Sequence, residues 1–469
     1  MKVVTKQLSL MKISRSLVII SGLLIPGIIS CSRRDEARKP NIVIVFLDDS
    51  GWADFEPFGK VYMETPEVSR LASEGCVYHN FYVPQAVCSA SRSALLSGCY
   101  PGRTKVFGAH GPDAWGLDTA FATMGEVFRS AGYATAAFGK WHCGDRPETR
   151  SHARGFGETC GLMYSNDMWS HHPENPEYWG QWPLRYWENG EVTIEEVTPE
   201  DQKSLTRWYT EHAVDFIYKH RDSAFLLYVA HSMPHVPLFC SNDFEGKSRK
   251  GLYWDVILEI DWSIGQINKA LKECGIDRST FFILTSDNGP WISYGNHAGF
   301  TPFREAKGTT FDGGVRSACI VKYPPQIDAG TTSDRTFCSI DLLPTLCHLA
   351  NVPLPANEID GMNVWELVHG LEAAENPHPY YAFSNNRSFE GILSGNGRWK
   401  LHLPHPYRTL MEAGRDGIPG TYVQESIDTA LFDMANDPLE TTNVLVQHPE
   451  VARELIQMAE AHRSRFYRD

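Results

Sequence analysis

Residues 42–47, Ile-Val-Ile-Val-Phe-Leu, form an unbroken and largely β-branched apolar run that stops abruptly at Asp48-Asp49. A strand that is apolar at every position has no face to offer water, so it belongs in the middle of a sheet covered on both sides. Further strand-length runs follow at Tyr133 to Phe138, Ala224 to Ala230 and Thr280 to Thr285. Between them lie helical patterns. One opens at Thr65-Pro66-Glu67 and closes at Gly75, and others cover about Thr119 to Ser130, Leu205 to Lys219 and Tyr253 to Glu273. This alternation predicts an α/β fold with a mostly parallel sheet flanked by helices, spanning 40–370. The pattern changes near Pro353-Leu354-Pro355. The remainder, 371–469, reads as a smaller α+β subdomain with strands at Gly391 to Leu393 and Trp399 to Leu403 and a final helix from Pro449 to Phe466.

The first thirty residues stand apart from this domain. Lys2, Lys6, Lys12 and Arg15 precede an apolar stretch, Leu17 to Ile29, that is short for a bilayer span and fits a secretory signal. It ends Ile28-Ile29-Ser30-Cys31, which resembles a lipoprotein cleavage site with Cys31 as the lipidated residue; an ordinary signal with an incidental cysteine is the plainer alternative. Residues 31–39 read as a polar linker. The expectation is therefore an exported protein in the periplasm or at the cell surface, tied to a membrane only through a lipid. A formal charge of −14 argues against nucleic acid and against gripping a long polyanion along its length. Eleven cysteines without CxxC pairs indicate neither a zinc site nor a disulfide framework.

Polar residues cluster where the strands end. The first strand runs into Asp48-Asp49, the second into Gly139-Lys140-Trp141-His142, the third into His231 and Pro234-His235-Val236-Pro237, and the fourth into Ser286-Asp287-Asn288-Gly289. In open α/β sheets, ligands bind beyond the carboxyl ends of the strands. Each motif has a plainer reading alone: Asp-Asn-Gly is a common turn, and His231 suits a structural role. Together they predict one site. Asp48, Asp49, Asp287 and Asn288 offer only oxygen, which suits Ca²⁺, with Mg²⁺ second, rather than zinc. Arg92, Lys140, His142, His235 and Lys307 would surround that ion with a cationic pocket for a tetrahedral oxyanion.

Cys88-Ser89-Ala90-Ser91-Arg92 precedes Ser93-Ala94-Leu95-Leu96, which reads as a helix start favouring an anionic nucleophile at Cys88. A buried cysteine at a helix entry is the alternative. The Cys-x5-Arg phosphatase pattern fails on spacing, because Arg92 follows Cys88 by four residues. With these segments and Lys307-Gly308-Thr309-Thr310 followed by Gly313-Gly314-Val315-Arg316, the chain resembles the formylglycine-dependent type I sulfatases of the alkaline-phosphatase-like superfamily. The likeness is greatest to the branch of arylsulfatase A and N-acetylgalactosamine-6-sulfatase.

The resemblance implies that a maturation enzyme oxidises Cys88 to formylglycine, and that residue 88 joins Asp48, Asp49, Asp287 and Asn288 around the metal. It implies attack on sulfur by hydrated residue 88, a proton from His235 to the departing alcohol, and release of sulfate aided by His142. Arg92 would steady residue 88 while Lys140 and Lys307 hold sulfate oxygens. Ala90 stands where the family usually has proline, and Leu96-Ser97-Gly98-Cys99 replaces its downstream Leu-Thr-Gly-Arg. The aromatic segment Tyr164 to Trp187 suggests a sugar site, with Asp167 and His297 as candidates for hydroxyl contacts. A terminal galactose or N-acetylgalactosamine 4- or 6-sulfate, on a mono- or oligosaccharide, is the substrate the branch implies. Alternatives are a phosphodiesterase or phosphonate monoesterase of the same superfamily, and an unmatured sugar-binding lipoprotein.

Overall fold

Asn41–Leu47 (β1) is buried at all seven positions and pairs in parallel with a strand on each side. It belongs to a computed structural model that describes residues 39–59 and 62–467; the proposed signal, nearly all of the linker and Cys31 lie outside the described residues. The same sheet contains Cys76–Tyr82 (β2), Ala134–Gly139 (β3), Glu158–Leu162 (β4), Tyr186–Glu188 (β5) and Glu191–Ile194 (β6). Phe225–Ala230 (β7), Thr280–Ser286 (β8), Arg316–Lys322 (β9), Thr331–Ser333 (β10) and Phe337–Cys338 (β11) complete its eleven strands. Their order is β10-β2-β9-β8-β1-β7-β3-β4-β5-β6, with β11 paired to β2.

The central strands β8-β1-β7-β3-β4 are parallel, and antiparallel pairs are confined to the flanks. Register then sets the site. Leu47 is paired with Ser286, and both Phe46 and Gly139 are paired with Ala230. Asp48, Asp287, His231 and Lys140 consequently leave the sheet at one level and on one edge.

All four expected strands are present within a residue or so of their predicted limits. β2 escapes a periodicity reading because His79 and Asn80 interrupt its apolar pattern where the pairing with β9 shifts register. Two helix starts differ from expectation. The helix expected from Thr119 begins at Met124, because Thr123 and Glu126 form a capping box: the Thr123 hydroxyl accepts from the Glu126 amide at 3.2 Å and the Glu126 carboxylate from the Thr123 amide at 2.7 Å. The helix expected from Leu205 begins six residues earlier, at Pro199, behind an equivalent box made by Thr198 and Asp201.

Helices Pro66–Ser73, Pro199–His220 and Leu252–Glu273 pack in one group, and Cys88–Ser97, Met124–Ser130 and Leu342–Ala350 in another. Beyond them, Tyr380–Asn385 (β12), Ser388–Ser394 (β13), Trp399–His402 (β14) and Ala430–Asp433 form an antiparallel sheet, on which helix Pro449–Phe466 lies. A separate hairpin joins His405–Glu412 (β15) to Thr421–Ile427 (β16). Buried charges stitch this part to the large sheet. Lys400 on β14 reaches Asp312 at 2.7 Å and Glu440 at 3.0 Å, and Glu440 accepts from the Asp312 amide at 2.7 Å. From Lys39 onward the chain forms one compact unit.

Candidate active site

Cys88 is the first residue of helix Cys88–Ser97, not a residue ahead of it. Val87 remains extended, and the small Ala and Ser side chains let the helix begin there with all ten residues buried, until Gly98 ends it at φ 67°. Cys88 and Arg92 are therefore one helical turn apart on a single face. Cys88 Sγ lies 3.3 Å from Asp48 Oδ1 and 3.6 Å from Lys307 Nζ. Burial and the Asp48 carboxylate push the thiol pKa well above its ordinary value, overriding the pull of Lys140 and Lys307. Against the helix-start argument for an anionic nucleophile, these surroundings favour the protonated form of an unmodified Cys88.

Arg92 is fully buried and forks onto Asp287 through Nε at 3.1 Å and Nη2 at 2.8 Å, and it donates to the Lys140 carbonyl at 3.0 Å. Nη2 is also 3.4 Å from Asp48 Oδ1. Lys140 Nζ pairs with Asp48 Oδ2 at 2.5 Å and donates to Ser165 Oγ at 3.0 Å. Lys307 Nζ pairs with Asp49 Oδ2 at 2.7 Å and sits 4.3 Å from the centre of the Trp291 ring. Burial opposes the charge on Asp48, but Lys140, His235, Arg92 and Lys307 hold that carboxyl well below the usual range. Asp287 behaves oppositely. Burial and the neighbouring Asp48 push it up to about 7 despite Arg92.

These residues fit a hard dication. Ligand atoms of Asp48, Asp49, Cys88 and His235 all lie within 4.8 Å of one another. Asn288 Nδ2 donates to Asp49 Oδ1 at 2.7 Å, whereas its Oδ1 is buried with no partner. Asp287 Oδ1 accepts from the Asp49 amide at 3.1 Å, so all five predicted ligands adjoin. An orphaned amide oxygen and a carboxyl raised by its acidic neighbours are both relieved by a cation with oxygen preference. Asp49 and His142 hold positive φ, 63° and 54°, a cost accepted where a strand end must aim a side chain.

His235 Nε2 is 3.5 Å from Asp49 Oδ2, and its ring meets Trp291 edge-on at 5.5 Å. His142 Nε2 contacts the His110 carbonyl at 2.7 Å, leaving buried Nδ1 without a partner. Burial, reinforced by Lys307 for His235 and by Lys140 for His142, lowers both imidazole pKa values. Three carboxylates face three permanent cations, so an added dication leaves the site at net +2 and attractive to an anion.

The reacting groups floor a cavity of about 730 Å³. Cys88, His142, Asp167, His235 and Lys307 line it, and Asp167 Oδ1 is buried without a partner. Arg92, Asp48 and Lys140 lie beneath. His297 is not brought to the cavity: it is half-buried beside Asp416 and Gly417, at the end of a short helical segment leading away from Trp291. His231 is a core residue, 3.1 Å from Ser263 Oγ, with its pKa lowered to about 4 by burial. Several lining residues carry no signal in their own sequence. Ser165 and His172 follow β4, and Asn385–Ser388, Glu390, Arg408 and Gln424 come from the C-terminal strands. Trp179, in the aromatic segment Tyr164 to Trp187, and Gly308, beside Lys307, line it as expected, and Trp291 joins them.

Residues 40–352 match the Sulfatase family model. The mouse N-acetylgalactosamine-6-sulfatase (Mus musculus) is 34% identical over 436 residues, covering 86% of this chain and 81% of that protein. An N-acetylgalactosamine-6-O-sulfatase of Bacteroides thetaiotaomicron is 29% identical over 97% of this chain and 99% of its own length. Among solved structures, the PsFucS1 sulfatase from Pseudoalteromonas sp. shares the fold, with a TM-score of 0.81, 24% identity and 92% of each chain covered.

Proposed function

The chain belongs to the sulfatase family and hydrolyses sulfate esters, and from that premise we propose how this site does so and on what. The substrate is a sulfated saccharide, with galactose or N-acetylgalactosamine 4- or 6-sulfate removed from a terminal position. The relatives named for N-acetylgalactosamine 6-sulfate support this reading. The observation that carries the mechanism is Cys88 Sγ at 3.3 Å from Asp48 and 3.6 Å from Lys307, on the floor of the one large cavity that the strand ends share.

Cys88, once oxidised by a maturation enzyme, is a formylglycine whose hydrate supplies a hydroxyl for attack on sulfur and a second hydroxyl for sulfate release. Asp48, Asp49, Asp287, Asn288 and residue 88 would hold Ca²⁺, which would supply positive charge to the site. Lys307, 3.6 Å from residue 88, and Lys140, paired with the neighbouring Asp48, hold sulfate oxygens as negative charge develops on them. Burial and Lys307 disfavour the charged form of His235; proximity of the anionic ester raises its pKa, and Nε2 then delivers a proton to the departing alcohol. His142, locked through Nε2 to the His110 carbonyl, presents its free Nδ1 to the hydroxyls of residue 88 and accepts a proton on sulfate release. Arg92 fixes Asp287 and Asp48 and thereby the floor on which residue 88 rests. His172 and Trp179, stacked with ring centres 6.0 Å apart, form an aromatic wall for the sugar, and Asp167 is placed for its hydroxyls.

The test is a panel of mono- and oligosaccharide sulfates with matched phosphate esters, assayed on protein made with its maturation enzyme. Sulfate release that is lost on chelation and restored by Ca²⁺ but not Zn²⁺, with an aldehyde mass on the residue-88 peptide, is expected. Faster phosphate than sulfate hydrolysis would replace the reading with a phosphoryl hydrolase, and an unmodified thiol from the native host with a binding protein. Export and lipidation at Cys31 belong to the same proposal and rest on the basic leader and Ile28-Ile29-Ser30-Cys31. Incorporation of labelled fatty acid, abolished in Cys31→Ala, tests them. No described helix is long and apolar enough to cross a membrane.

A further inference from the structure

A second cavity of about 780 Å³ adjoins the first, and Ala109 and Arg387 line both. The wall between them contains segment 107–110. This segment is braced from the catalytic side, where the His110 amide donates to Ser89 Oγ at 2.9 Å and the Gly108 amide to Gln85 Oε1 at 2.7 Å. The same Gln85 donates to Ser384 Oγ at 2.8 Å and to the Asn386 carbonyl at 3.0 Å, which fixes the β12–β13 turn that carries Arg387.

Arg387 differs from the other cations around this second cavity. Arg103 is clamped by Asp360 and Glu358, and Lys105 donates to the Phe466 carbonyl at 2.7 Å. Arg387 is exposed and has no hydrogen-bond or ion-pair partner among the described residues; its guanidinium is 5.6 Å from the Phe107 ring. Across the same cavity Trp115 leaves an indole half exposed, a flat apolar face with a polar edge of the kind that stacks on sugar rings. In a chain of charge −14, a fixed and unpaired guanidinium where two cavities meet is a local attractor for an anion.

We propose that the second cavity binds the sugar residue adjoining the sulfated one, with Trp115 stacked on its ring and Arg387 holding its carboxylate or sulfate. The inference rests on the saccharide reading of the first cavity and makes the preferred substrate an acidic oligosaccharide. It is tested on the full-length protein with a uronate-containing, desulfated trisaccharide as the probe, titrated calorimetrically into wild type, Arg387→Gln and Trp115→Ala. Binding about tenfold weaker for Arg387→Gln, as loss of a charged hydrogen bond requires, and about fivefold weaker for Trp115→Ala is expected. In parallel, the ratio of kcat/KM on a sulfated trisaccharide to that on the monosaccharide sulfate should fall in both variants. Unchanged binding together with an unchanged ratio overturns the subsite. Failure of the saccharide reading shows separately, as no sulfate release by aldehyde-bearing wild type from either compound; the titration still decides whether the second cavity holds an acidic sugar.

Discussion

His235 meets two opposed demands: burial and Lys307 favour its neutral form, whereas the leaving alcohol needs a proton. Its importance should scale with how poor the leaving group is. His235→Ala is expected to lose about 10²- to 10⁴-fold in kcat on a sugar sulfate and far less on a nitrophenyl sulfate, whose phenolate departs unaided. Equal losses on both would remove the proton-donor role. Arg92 makes a different prediction. Its two contacts with Asp287, of 2.8 and 3.1 Å, both fall on Oδ2, and it is wholly buried. Arg92→Met leaves that carboxylate uncompensated and should lower unfolding free energy by about 3–5 kcal/mol, measured from denaturant midpoints; a loss below about 1 kcal/mol would show that the fork contributes little.

The loop after β1 holds the two acidic ligands, and Asp54 holds the loop. Its buried carboxylate accepts from the Gly51 amide at 2.6 Å, the Phe300 amide at 2.7 Å and the Tyr253 hydroxyl at 2.5 Å. Burial nevertheless raises its pKa from 3.8 to about 6. The folded chain thus binds this proton more tightly than the unfolded chain. The stability it contributes is complete below about pH 4 and declines as pH rises through about 6, by about 3 kcal/mol. Asp54→Asn cannot titrate, so wild type should lose stability relative to the variant across that window. Parallel pH–stability curves for the two proteins would exclude the effect.

At the scale of the whole molecule, the boundary near residue 370 separates sequence patterns but not independent bodies. Lys400 and Glu440 are buried against Asp312, which belongs to the segment leading into β9, and Asn385–Ser388 with Arg408 close one wall of the active cavity. A chain ended at residue 370 would strip Asp312 of Lys400, leaving it only Arg316 at 3.2 Å, and would expose the apolar face under β12–β14. It is expected to be insoluble or molten, judged by near-ultraviolet circular dichroism and dye binding. A well-folded truncated form would contradict this reading. Lys400→Met, the milder lesion, should cost about 3–5 kcal/mol with the fold retained.

Motifs with local chemistry were readable directly. Asp48-Asp49, Lys140, His142, His235, Asp287-Asn288 and the Cys88–Arg92 spacing stand at or just beyond a strand end or at a helix start, and parallel register brings the strand-end groups together; Lys307 lies in a turn ahead of Asp312–Val315. The surroundings of Cys88 were not readable, because a helix terminus favours the anion whereas burial and the Asp48 carboxylate at 3.3 Å raise the thiol pKa. His297 illustrates the same limit: it follows Asp287 by ten residues, yet it is not among the residues that line the cavity. Sequence by itself determined the α/β class and the reacting groups, since periodicity and strand-end chemistry are properties of short segments. Tertiary structure alone decided the walls of the cavity, the second cavity and the open guanidinium of Arg387. Those depend on contacts between segments as much as 361 residues apart, whose free energies no local pattern encodes.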